Sequence, residues 1–156
     1  MKAPIEVRNA IAIAAPAERV WDLLADVGNW PSWYRACRWV SVESRDDAGR
    51  PLSFRWKAHP VELRSAVVAS ERGRLFAIIA DAPGFHAERA FTIRPSGNET
   101  HTMVISHETQ VGLFPWIGRL VLGPRLRAAN QAMFVDLARA ATRVEEGSEE
   151  LEPVAR

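Results

Sequence analysis

Between Cys37 and Val111 the chain alternates short runs rich in β-branched and aromatic residues with clusters of turn formers, and no helical period interrupts them. The breaks are Asp46-Asp47-Ala48-Gly49, Glu71-Arg72-Gly73, Asp81-Ala82-Pro83-Gly84 and Pro95-Ser96-Gly97-Asn98. Such residues reverse a chain through positive φ or through side-chain bonds to their own backbone, so neighbouring runs lie antiparallel. The pattern predicts strands over Cys37–Ser44, Leu52–Lys57, Val61–Ser70, Leu75–Ala80, Phe85–Arg94 and Thr102–Gln110. A meander of this kind must borrow the cover for its apolar face from the segments that flank it.

Both flanks supply candidates. In Val7 to Ala14 apolar residues fall on alternate positions, as in a half-buried strand. Pro16 suits a helix first turn, and Val20, Trp21, Leu23 and Leu24 recur with helical spacing over Ala17 to Leu24. Asp26-Val27-Gly28 ends that helix, and Asn29 is placed to cap a short second one containing Trp30, Pro31 and Trp33. After Gly112 the period becomes that of a long helix, with Trp116, Leu120, Leu126, Asn130, Met133, Phe134, Leu137, Ala140, Ala141 and Val144 on one apolar stripe. Gly123-Pro124 predicts a kink or break in it, because proline lacks the N–H and crowds the preceding turn. The expected organisation is one domain over residues 1–145 and an acidic, flexible tail over 146–156.

Charge narrows the partners. Lys and Arg number 20 against 19 Asp and Glu, a net +1, which offers no general attraction for nucleic acid or an anionic membrane. Glu6, Arg8 and Asn9 interrupt the start as a signal peptide, and Val111 to Gly123 is broken by Pro115 and Arg119 as a membrane span. Cys37 is the only cysteine, and His59, His86, His101 and His107 show no ligand spacing, so no metal, no cofactor and a cytoplasmic location are expected. Neither a nucleophile elbow nor a glycine-rich phosphate loop is present.

The order strand, Ala15-Pro16, Val20-Trp21, Leu24, Asp26, Trp30-Pro31 and Trp33 closely resembles the opening of the START-like SRPBCC superfamily, which includes polyketide cyclase/dehydratase and lipid-transport proteins. The resemblance implies an α+β helix-grip fold: a seven-stranded antiparallel sheet wrapped around the long C-terminal helix, two short helices after the first strand, and a cavity between sheet and helix. In that superfamily transport, cyclisation, chaperone-partner and ligand-sensing roles share the one scaffold.

Alternation then nominates the inward side chains. The sets are Leu52, Phe54 and Trp56; Leu63, Ser65 and Val67; Phe76, Ile78 and Ala80; Phe85, Ala87, Arg89, Phe91 and Ile93; and Met103, Ile105, His107 and Thr109. With Trp33, Trp116, Asn130 and Phe134, these make a greasy cavity built from Phe54, Trp56, Leu63, Val67, Phe76, Ile78, Phe91, Met103 and Ile105. Arg89 and His107 break the apolar pattern and are the candidate acid/base or anion-holding pair, unless a bulge turns either to solvent. Gly112 to Gly118 is a candidate gate or, equally, a staple for the helix start. Three functions follow: a carrier or sensor of a hydrophobic small molecule, a polyketide-type cyclase or dehydratase using His107 and Arg89, and an interaction module built on Leu113 to Trp116. An edge strand or the apolar junction also permits a homodimer.

Overall fold

The computed structural model describes residues 5–58 and 61–149, so His59 and the end of the tail lie outside the described residues. The elements are β1 (Ile5–Ile13), α1 (Ala17–Ala25), a 3-10 segment (Val27–Ser32), β2 (Cys37–Arg45), β3 (Pro51–Ala58), β4 (Val61–Glu71), β5 (Leu75–Ala82), β6 (Phe85–Ser96), β7 (His101–Val111) and α2 (Leu113–Glu149). All strand pairings are antiparallel, in the order β1-β7-β6-β5-β4-β3-β2. Every strand inferred from the turn signals is present, and the fold is the expected α+β helix grip.

Local chemistry explains the entry into α1. Pro16 is extended at φ −62 and ψ 148, and its carbonyl accepts from the Val20 N–H at 3.2 Å. It therefore sits just outside the helix rather than in its first turn, a position where its missing N–H costs nothing. Val20, Trp21 and Leu24 are the buried face of α1. The second short helix is the 3-10 segment, which begins before Asn29 and has no side-chain cap. What fixes it is Trp30, fully buried, whose Nε1 donates to the Leu24 carbonyl at 3.0 Å. The same indole meets Phe54 and Trp56 edge-on at 5.6 and 5.2 Å, tying the segment to the sheet.

Helix α2 runs without interruption past Gly123-Pro124. Proline removes only the donor that would reach the Leu120 carbonyl, and Leu120 is 86 % exposed, so water can take that acceptor. Asn130, Met133, Phe134, Leu137 and Ala141 are buried against the sheet and α1. Trp116 and Leu120, placed on the same stripe by the sequence, are instead exposed. The helix also runs to Glu149, into the segment expected to be a flexible tail.

Candidate functional site

The sheet curls around α2 and leaves a cavity of about 800 Å³ lined chiefly by apolar side chains. Trp56 and Leu63 from β3 and β4, Ile78 from β5 and Phe91 from β6 form its floor, with Leu126 and Met133 of α2 above. Two other hollows, of about 490 and 620 Å³, flank α1; the smaller is lined mainly by charged and polar residues, and the larger mixes apolar side chains with six charged ones. Of the three, the sheet–helix cavity is the largest and the one with the most apolar lining, as a hydrophobic ligand site requires.

One polar cluster interrupts the lining. Arg89 on β6, Glu108 and Gln110 on β7, Asn130 on α2 and Tyr34 all border the cavity. Asn130 Nδ2 donates to Glu108 Oε2 at 2.6 Å, and Gln110 Nε2 donates to Glu108 Oε1 at 3.2 Å. Arg89 Nε lies 3.9 Å from Glu108 Oε2, an ion pair beyond hydrogen-bond length, while one terminal nitrogen donates to Met133 Sδ at 3.2 Å. Its Nε and Nη2 are buried with no hydrogen-bond partner among the described residues. The guanidinium carbon lies 4.4 Å from the centre of the Phe91 ring and 5.9 Å from that of Phe134, a cation–π seating in which the ring faces replace lost water.

Burial lowers the pKa of Arg89, opposed by the negative charge of Glu108 and by Tyr34. Starting from so high a value, the group stays cationic. Burial also raises the Tyr34 hydroxyl, against the pull of Arg89, so Tyr34 remains a protonated donor near neutrality. The cluster thus offers a fixed cation with free N–H groups, a carboxylate held by two amides, and a phenol.

Of the side chains nominated by alternation, Trp56, Leu63, Ile78, Ala80, Phe85, Ala87, Arg89 and Phe91 border this cavity, as does Asn130 from the helical stripe. Phe54, Phe76 and Phe134 are fully buried in the core and do not form its wall. Val67 and Phe76 border the hollow beside α1 instead, beyond the register shift between Val67 and Ala69. Trp33 stacks behind Tyr34 at 5.9 Å, Leu52 is 41 % exposed, and Trp116 is 60 % exposed.

The β7 set requires correction. His107, Met103 and Ile105 point to the outer face, and the inward residues are Thr102, Val104, Ser106, Glu108 and Gln110. Residues directly opposite in an antiparallel pair share a face, and the register sets Ile93 against Val104, Phe91 against Ser106 and Arg89 against Glu108. His107 Nε2 meets Glu6 Oε1 of β1 at 2.8 Å on the outside of the sheet, so the partner of Arg89 is Glu108. Tyr34, which the sequence offers beside Trp33 as a cavity-lining aromatic, does border the cavity; Glu108 and Gln110 were missed, and the signal that finds them is the length of the β6–β7 turn.

At the strand-to-helix junction, Gly112 has φ +125 and a Cβ there would lie 2.5 Å from the Gly84 carbonyl oxygen. The Phe114 N–H donates to that carbonyl at 3.3 Å, and the Phe114 ring lies against Gly84. This fastens the start of α2 to the β5–β6 turn, while Phe114 and Pro115 border the cavity.

Residues 4–142 match the family model described as polyketide cyclase / dehydrase and lipid transport. The chain belongs to this family. A candidate polyketide cyclase of Streptomyces halstedii is 40 % identical over 52 residues, a match spanning 33 % of this chain and 46 % of that protein. The Zhui aromatase/cyclase from Streptomyces sp. R1128 superposes with a TM-score of 0.75 at 18 % identity, over 88 % of this chain and 93 % of the other. A START superfamily protein from Mycobacterium smegmatis gives 0.70 at 22 % identity, over 90 % and 97 %. At these identities the solved structures share the fold with this family member. No helix among the described residues is long and apolar enough to cross a membrane.

Proposed function

We propose that this protein binds a hydrophobic, aromatic or polyketide-like small molecule in the sheet–helix cavity, with an electron-rich oxygen of the ligand facing Arg89. The carrying observation is the pair of buried, unpartnered donors Nε and Nη2 of Arg89 in a cavity of about 800 Å³. A buried cation needs more than one distant counter-charge, and both oxygens of Glu108 already accept from amides. A ligand carboxylate, phenolate or enolate would complete the shell with charge-assisted bonds. Membership of a family described by cyclisation, dehydration and lipid transport supports the same reading.

The test compares 2-naphthoate with 2-methylnaphthalene by calorimetric titration. Wild type is expected to prefer the carboxylate by about tenfold or more, since hydrogen bonds to charged groups are worth about 1.5–3 kcal/mol. The preference should vanish in Arg89→Met. Equal affinity for both probes in the wild type, or no binding of either, would overturn the reading.

A second reading, cyclisation or dehydration of such a ligand, is supported by Tyr34, a protonated hydroxyl beside a carboxylate and a cation. Proton donation by Tyr34 and acceptance by Glu108 would suffice for an enolising step. Incubating the protein with a linear β-ketone chain and following it by NMR separates the two: an unchanged spectrum leaves binding alone.

A further inference from the structure

The first turns of α2 carry apolar side chains on two faces at once. Pro115, Leu122 and Leu126 look into the cavity. Leu113, Trp116, Ile117, Leu120 and Val121, at i, i+3, i+4, i+7 and i+8, form a second stripe that is 57 % to 86 % exposed. A helix packed on one side ordinarily keeps a single apolar stripe, and a contiguous exposed one marks a docking surface.

Charge says what covers it. The whole chain is nearly balanced, at 20 basic and 19 acidic residues. Yet from Thr109 to Val135 there is no Asp or Glu, while Arg119, Arg125 and Arg127 fall in the same stretch. Arg125 and Arg127 are exposed, and Arg125 stands at the rim of the cavity. An apolar ridge with a tryptophan, on a helix segment whose charged side chains are all cations although Glu62 of β4 shares the cavity rim, has the chemistry of a helix lying in a bilayer interface. A second copy is disfavoured, because a two-fold pairing through this ridge would bring the same arginines together with no acid in the segment to neutralise them.

We propose that the outer stripe of α2 docks on an anionic lipid bilayer, seating Ile117, Leu120 and their neighbours at the headgroup–acyl boundary with arginines over the lipid phosphates. The cavity rim, formed by Phe114, Pro115 and Arg125, then lies beside the membrane. Docking itself does not depend on the ligand assignment; passage of a greasy ligand from bilayer to cavity does, and rests on the proposed function.

The experiment is co-sedimentation of the full chain with phosphatidylcholine vesicles, with and without phosphatidylglycerol. Binding is expected only with the anionic lipid and should weaken with added salt. The double variant Ile117→Asp/Leu120→Asp should bind at least about tenfold more weakly with an unchanged circular dichroism spectrum, and Arg125→Gln about fivefold more weakly. Binding is overturned if wild type stays in the supernatant, or if the double variant sediments as wild type does. It is also overturned if light scattering shows a dimer that the double variant breaks while neither protein binds vesicles. Vesicle binding is read on the same protein whether or not 2-naphthoate binds, so failure of one idea is distinguishable from failure of the other.

Discussion

Asn130 donates from Nδ2 to Glu108 Oε2 across 2.6 Å, joining the long helix to the last strand from inside the cavity. Both residues are buried, so the bond is shielded from water and its acceptor is a carboxylate. Asn130→Ala is therefore expected to lower unfolding free energy by about 1.5–3 kcal/mol in urea titrations. A loss under about 0.5 kcal/mol, the usual effect of a surface substitution, would mean that the bond is not formed in solution.

Arg89 and Glu108 are each about one-tenth exposed at the side chain, and each is the other's nearest opposite charge in the cavity. Removing one leaves the other buried without compensation, so Arg89→Met should destabilise by about 3 kcal/mol or more. Replacing both, Arg89→Met with Glu108→Leu, should cost less than the sum of the single changes. A double-mutant cycle by chemical denaturation measures this coupling, and additivity within about 0.5 kcal/mol would contradict it.

His86 Nδ1 lies 2.5 Å from Asp81 Oδ1 on the β5–β6 hairpin, and Glu88 Oε1 is 3.5 Å from its other nitrogen. The bond to Asp81 raises its pKa above 6.5. A group raised on folding adds stability that is fully present below its unfolded pKa and is lost as pH rises through the folded value. Melting temperature should thus fall between about pH 6 and 8 more steeply in wild type than in His86→Gln. Parallel curves would remove His86 from the account.

Cys37 is buried and its thiol is pushed up to about 11, with burial the larger cause and the bond to the Trp39 carbonyl opposing it. A thiol so placed holds almost no thiolate near neutrality. Native protein should leave an aromatic disulfide reagent unreduced, with one thiol released in denaturant. Rapid native reaction would show that the start of β2 opens.

Gly112→Ala would force a Cβ to within 2.5 Å of the Gly84 carbonyl at φ +125. Because the obstacle is backbone, the junction must move, at an expected cost of about 1–3 kcal/mol. Gly97→Ala, where φ is +63 but the space is open, should cost less. Equal losses in thermal melts would show that positive φ alone matters at these turns.

The opening resemblance and the turn signals located every strand and the long helix, because each rests on local properties: side-chain period, proline geometry and turn chemistry. Arg89 and Asn130 were visible as polar intruders in apolar sets for the same reason. His107 was chosen over Glu108 because alternation gives two faces without labelling them. Met103 and Ile105 make the outer face of β7 look like a core face, and the inner face carries Thr102, Ser106, Glu108 and Gln110. Trp116 and Leu120 were misplaced similarly, since a helix apolar on two sides gives no single direction inward.

Strand and helix content was thus written into residue order, as was membership of a fold in which a sheet grips its last helix. Which side of β7 meets that helix was decided by the β6–β7 pairing, where one residue of slip exchanges every side chain between the faces. That choice places Glu108 beside Arg89 and Asn130, and a carboxylate, a cation and an amide from three distant segments become one site only when the sheet closes over α2.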